Sequence, residues 1–134
     1  MTEQIPKKIN VLMVEDNPAD AFLTKEILSE SENAAYQITT INDAVNALAF
    51  LHKLNGFEDA PRPDLILLDL NLPKMHGLDF LARIRDDKYL TTMPVVILTT
   101  SEFGGDMERA RELGVRGYLA KPIDLDEFES VILR

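Results

Sequence analysis

The sequence predicts an α/β fold: a five-stranded parallel sheet, doubly wound as (βα)5, with helices on both faces. Three observations predict it. Short apolar runs alternate with helical repeats five times along the chain, an order that right-handed crossovers turn into a parallel sheet. The central runs are apolar at consecutive positions, as strands covered on both faces are. The length of 134 residues suits one such domain, so residues 1–134 are read as a single unit.

The elements follow in order. Ile9-Asn-Val-Leu-Met-Val14 is the first strand. Asn17 and Pro18 read as N-cap and first helical position, with Asp20 in the first turn. Ala19, Leu23 and Ile27 recur every four residues and are expected to face the core. Tyr36-Gln-Ile-Thr-Thr40 alternates weakly, as an edge strand does. Ala44, Ala47, Leu48 and Leu51 have the i, i+3, i+4, i+7 spacing of a second helix. Leu65-Ile-Leu-Leu68 and Val95-Val-Ile-Leu98 are the third and fourth strands, and Leu78, Leu81 and Ile84 mark the helix between them. Gly114 is placed at the C′ stop of the fourth helix. Val115-Arg-Gly-Tyr-Leu-Ala120 is the fifth strand and the other edge. Leu125, Phe128 and Ile132 mark the last helix, which would stop short at Arg134.

One segment breaks the pattern. Lys53 to Pro63 holds a glycine and two prolines without periodicity, so it reads as a long surface loop. It is expected to be a tolerated insertion, because long loops cost little to add. As the approach to the third strand, it is also expected to lie at the sheet end away from any site and to be dispensable for chemistry.

Composition narrows the function. Fourteen basic residues against 23 acidic ones give a net charge of −9. That argues against non-specific nucleic-acid binding, which needs a basic face, and against adsorption to an anionic membrane. No apolar run approaches the ~20 residues that cross a bilayer. Met1 to Asn10 lacks the apolar stretch of a signal peptide, so the cytoplasm is the expected location. The absence of cysteine excludes disulfides, thiolate metal sites and cysteine nucleophiles.

In open parallel sheets, ligands sit at the carboxyl ends of strands where the strand order reverses. The first strand ends in Glu15-Asp16, the third in Asp69 and the fourth in Thr99, while the fifth runs into Lys121. Three carboxylates, a hydroxyl and an ammonium therefore converge. Packed carboxylates repel one another and call for a counter-charge. A hard divalent cation such as Mg2+ takes one or two carboxylates and keeps several waters. Asp69 can then act as a nucleophile and form an aspartyl phosphate. Lys121 and the metal would neutralise charge on the transferred group, and Thr99 could hydrogen-bond to it. Each residue also has a plainer role: Asp16 in a helix start, Asp69 in a turn, Lys121 in a solvated loop, Thr99 in strand composition. Yet Asp69 follows four apolar residues, a poor place for a lone charge. The plainer roles do not account for all four at one sheet end.

These residues resemble the receiver domain of two-component response regulators, and the resemblance covers essentially the whole chain. It is carried by Glu15-Asp16, Asp69-Leu-Asn-Leu-Pro73, Met75-His-Gly77, Pro94 to Thr99, Gly114 to Tyr118, and Lys121-Pro122. The resemblance implies the flavodoxin-like strand order 2-1-3-4-5. It implies that Asp69 is the phosphoacceptor and that Glu15, Asp16, Asp69 and the Asn71 backbone carbonyl serve Mg2+. It further implies that Thr99 and Tyr118 form a switch pair and that Lys121 contacts the phosphoryl group. The implied donor is a phosphohistidine on a sensor histidine kinase or phosphotransfer protein. The implied response is a change in the face formed by the fourth helix, fifth strand and fifth helix. With no output domain, the signal is expected to leave through protein contacts or phosphoryl relay, from a monomer or a phosphorylation-linked homodimer. The long loop resembles that of small stand-alone receivers paired with phytochrome-type kinases. Three features depart from the family's pattern: Thr100 stands where a small residue is common, Gly104-Gly105 loosens the start of the fourth helix, and the last helix is expected to be shorter than is typical.

Other functions fit less well. A dehalogenase-type phosphatase also uses a strand-end aspartate with Mg2+, but needs an acid two positions later, where Asn71 stands. A flavodoxin-like cofactor binder needs a phosphate cradle after the first strand, where Glu15-Asp16-Asn17-Pro18 would repel phosphate. A receiver fold that has lost phosphate acceptance is opposed by the full set of site residues. A signalling protein, not an enzyme, is therefore expected.

Overall fold

The five apolar runs become five strands of one sheet, each followed by a helix. In a computed structural model describing residues 7–100 and 104–133, the order is β1 (Lys7–Val14), α1 (Pro18–Ser29), β2 (Ala34–Ile41), α2 (Ala44–Leu51), β3 (Leu65–Leu68), α3 (Gly77–Asp86), β4 (Val95–Thr99), α4 (Gly104–Glu112), β5 (Gly117–Ala120) and α5 (Leu125–Ile132). The strands are all parallel and lie in the order β2-β1-β3-β4-β5. The order reverses between β1 and β3, as expected. No helix among the described residues is long and apolar enough to cross a membrane.

The alternation of side chains along each strand builds two cores. Leu12, Val14, Ile66, Leu68, Val95 and Ile97 face one way and pack with α2, α3 and Ala110 of α4. Val11, Met13, Leu65, Leu67, Val96 and Leu98 face the other way and pack with α1 and Phe128 of α5. Every residue of β3 and β4 is buried, the state that continuous apolar runs anticipate.

Two expectations need correction. The first is the face of α1. Ala21, Thr24 and Leu28 are its buried residues, whereas Ala19 is exposed and Leu23 is 46% exposed. The cap at Asn17 sets the phase of the helix, and Thr24 takes a core-facing position that its hydroxyl disguised. The second is the start of β5. Val115 closes α4 instead: its N–H donates to Ala110 O, and the Gly114 N–H donates to Arg111 O with Gly114 at φ 72°. That is a Schellman stop, and the pairing with β4 begins only at Val96↔Gly117.

The long loop is held by packing that the sequence does not show. Lys53, at φ 58°, closes α2 through Lys53 N–H to Phe50 O and Leu54 N–H to Ala49 O. The following segment packs back on α2, with the Phe57 ring edge-on to Phe50 at 5.4 Å between centroids. Arg62 lies over the Tyr89 ring at 4.7 Å, and Asp64 bonds to Asn10 through side chain and backbone. The exit at Asp64 is at the amino end of the sheet, as expected. Phe57, however, lines an open cleft of about 770 Å³ that also contains Glu15 and Asp16. The loop is therefore a strap packed on α2.

Arg85 of α3 organises the far side. Its guanidinium donates to the carbonyls of Thr91, Met93, Leu113 and Gly114 at 2.6–3.2 Å. One side chain thus ties α3 to the segments that precede β4 and β5.

Candidate functional site

The ladder continues one residue beyond the strand ends. The Glu15 N–H donates to Ile41 O, the Asp69 N–H to Val14 O and the Lys121 N–H to Thr99 O. These bonds fix the backbones that follow β1, β3 and β5 at the carboxyl edge of the sheet, and the side chains converge there.

Local sequence chemistry sets each side chain. The Asn17 carboxamide oxygen accepts from the N–H groups of Ala19 and Asp20, capping α1. The Asn17 N–H in turn donates to Glu15 Oε2 at 3.2 Å. Behind Asp69 the chain turns tightly, and the Gly77 N–H donates to Leu70 O at 2.9 Å. A Cβ on Gly77 would lie 2.6 Å from Leu70 Cα, so only glycine fits that close approach without displacing backbone. His76 caps α3 by accepting from the Leu78 N–H.

Asp69 is 6% exposed and Glu15 5%, while Asp16 is exposed. Their carboxylates form one cluster with ligand atoms within 4.8 Å of one another. Asp69 Oδ1 accepts from the Thr99 hydroxyl at 3.2 Å and from the Asn71 N–H at 3.1 Å. Asp69 Oδ2 accepts from Lys121 Nζ at 2.9 Å. Lys121 also pairs with Glu15 and, at 3.0 Å, with Asp20 Oδ2.

The electrostatics follow from this packing. Burial pushes the Glu15 carboxyl above its usual range, more than the Lys121 ammonium and the Asn17 N–H pull it down, and the Asp69 charge adds to the rise. Burial alone would lower the Lys121 value, but hydrogen bonds to Glu15, Asp69 and Asp20 overcome it and hold the ammonium charged. The donor set fits a hard cation: three carboxylates, no histidine among them and no cysteine in the chain. Glu15, Asp16 and Asp69 could hold Mg2+ between them.

The structure thus brings together Glu15, Asp16, Asp69, Thr99 and Lys121, with Asn71 alongside. Tyr118 sits apart from the cluster. It lies level with Ile97 on β5, half-buried against the core beneath α2–α4. Asp20 was not among the site residues expected from the sequence. Its first-turn position accounts for an acid by helix electrostatics alone, and nothing local signals a partner 101 residues away. Thr100 is exposed and lines a small opening of about 280 Å³ with Asp20, Leu23, Thr24, Lys121 and Pro122.

Known proteins share this fold. Residues 11–133 match the response regulator receiver domain family. The chain is 40% identical to the response regulator Rcp1 of Synechocystis, over 97% of this chain and 87% of that protein. The structure of the Mn2+-bound form of Rcp1 superposes with a TM-score of 0.79 and 41% identity, covering 92% of this chain and 88% of that one. The phosphorylated cyanobacterial phytochrome response regulator RcpA superposes with a TM-score of 0.79 and 39% identity, covering 92% and 89%. With its parallel sheet in 2-1-3-4-5 order, its acidic cluster at the strand ends and this breadth of similarity, the chain belongs to the response regulator receiver domain family.

Proposed function

We propose that the protein is a phosphorylation-driven signalling switch in which Asp69 accepts a phosphoryl group from a phosphohistidine. One observation carries this reading. The buried Asp69 carboxylate has an ammonium 2.9 Å from one oxygen and a hydroxyl 3.2 Å from the other, beside two further carboxylates within 4.8 Å.

Asp69 is the nucleophile. One carboxylate oxygen bonds to phosphorus as the P–N bond of the donor breaks, and the imidazole leaves and takes a proton from solvent. Glu15, Asp16, Asp69 and the Asn71 backbone carbonyl hold Mg2+, which when bound offsets charge on the transferring group. Lys121 keeps its positive charge beside the phosphoryl oxygens. The Thr99 hydroxyl exchanges its bond to Asp69 for one to a phosphoryl oxygen. That movement opens space toward which Tyr118 turns, altering the α4–β5–α5 face.

The donor is a sensor histidine kinase or phosphotransfer protein in the cytoplasm. The likeness to a cyanobacterial phytochrome response regulator supports a phytochrome-type kinase. Residues 1–134 act as one receiver, as a monomer or as a phosphorylation-linked homodimer.

The test is incubation with acetyl phosphate and Mg2+, followed by intact mass. The wild type should gain one phosphoryl mass, and neither Asp69→Asn nor the wild type in EDTA should do so. Modification that survives in Asp69→Asn would overturn the assignment. Repeated turnover of a phosphomonoester would point to a phosphatase instead.

A further inference from the structure

We propose that Asp20 is a positioning residue that receives the Lys121 ammonium when Glu15 and Asp69 turn to the metal. This rests on the reading of Asp69 as phosphoacceptor and of the acidic cluster as the Mg2+ site.

An ammonium has three N–H donors. Lys121 Nζ contacts three different carboxylates: Glu15, Asp69 at 2.9 Å and Asp20 at 3.0 Å. Glu15 and Asp69 belong to the cluster that fits a divalent cation, and Asp20 does not. A cation entering the cluster competes with the ammonium for the same oxygens. Without another partner, the buried ammonium would have to leave for water or stay and weaken the metal. Asp20 removes that choice. It reaches from the first turn of α1 to the rim of the site, and its side chain is 40% exposed against 11% for Lys121. Lys121 can therefore swing toward the rim while staying paired, and remain next to Asp69 for the incoming phosphoryl group.

The plainer role of Asp20 is to stabilise the start of α1, which any acid in the first turn does. The two roles separate experimentally. Magnesium affinity is measured by calorimetry on the unphosphorylated protein for wild type, Asp20→Asn, Asp20→Glu, Lys121→Met and the Asp20→Asn/Lys121→Met double variant. Thermal unfolding is followed in parallel. Asp20→Asn should weaken Mg2+ binding by about three- to five-fold, the size expected for losing one half-exposed charge pair, and Asp20→Glu should recover most of it. Lys121→Met should tighten binding, because the competitor is gone, and Asp20→Asn should then have little further effect. A full-sized Asp20→Asn effect in the Lys121→Met background would overturn the proposal, since Asp20 would be acting by general charge. So would unchanged affinity in Asp20→Asn with only the unfolding temperature lowered. A wild type that binds no Mg2+, or whose binding is untouched by Asp16→Ala, would instead overturn the reading of the cluster itself.

Discussion

Gly77 has the least room to change. A Cβ there would meet Leu70 Cα at 2.6 Å and Asp69 O at 2.7 Å, both backbone atoms of the segment that aims Asp69. Gly77→Ala should therefore push the turn after β3 and cost about 1–3 kcal/mol, measured as a lower urea midpoint. Phosphorylation of Asp69 by acetyl phosphate should slow as well. An unchanged midpoint would show that the turn absorbs the methyl group. At this scale the sequence was most legible where a charged or hydroxyl residue ends an apolar run. Glu15, Asp69 and Thr99 declare themselves that way, because turn and strand composition account for each singly but not for all of them at one sheet end. Asp20 does not, since a local role accounts for it and its partner is distant in the chain. The close approach at Gly77 is also silent in the sequence, for it depends on how α3 meets the turn.

Among the elements, α5 carries a buried carboxylate that no periodicity revealed. Glu129 is 7% exposed and accepts from the Ser31 hydroxyl at 2.6 Å, the Asn33 carboxamide at 3.0 Å and the Tyr36 hydroxyl at 2.6 Å. These bonds fasten α5 to β2 and to the turn that precedes it. Burial raises the Glu129 value, but the three hydrogen bonds outweigh it and hold the carboxyl below its ordinary 4.5. Burial and the adjacent carboxylate push the Tyr36 hydroxyl up, so it stays protonated and donating. A native value below the unfolded one means that the stabilisation is complete above the unfolded value. It is lost as pH falls through the native one. Glu129→Gln should cost about 1–3 kcal/mol at neutral pH, because donors are left without their acceptor. The gap between wild type and variant should narrow in denaturation curves taken from about pH 5 down to pH 3. A gap independent of pH would show that the carboxylate charge is not what holds the turn. The partners of Glu129 lie 93–98 residues earlier, beyond what a helical stripe of Leu125, Phe128 and Ile132 can convey. The helix phase of α1 was misjudged for a related reason: a threonine faces the core, and Phe22 and Leu23 face water.

For the whole molecule, the question is how a charge at Asp69 reaches a distant surface. Thr99 ends β4 with its hydroxyl on Asp69, and Tyr118 stands on the neighbouring strand. A beryllofluoride phosphoryl mimic should change amide exchange across α4 and β5 in the wild type, and this change should vanish in Thr99→Ala although the mimic still binds. Identical exchange with and without the mimic in the wild type would rule out the switch. The parallel sheet was legible at this scale because strands and helices alternate without exception, whereas its strand order came from the family resemblance. The packed strap from Lys53 to Pro63 was not, because its anchor is the contact between Phe57 and Phe50 rather than any periodic pattern. The Arg85 clamp bears on the same motion. By holding the carbonyls of Leu113 and Gly114, it pins the foot of α4 to α3. A movement of α4 on phosphorylation would therefore pivot about its carboxyl end. Its nine residues make an arm of about 13 Å at 1.5 Å per residue, so such a swing would grow toward Gly104.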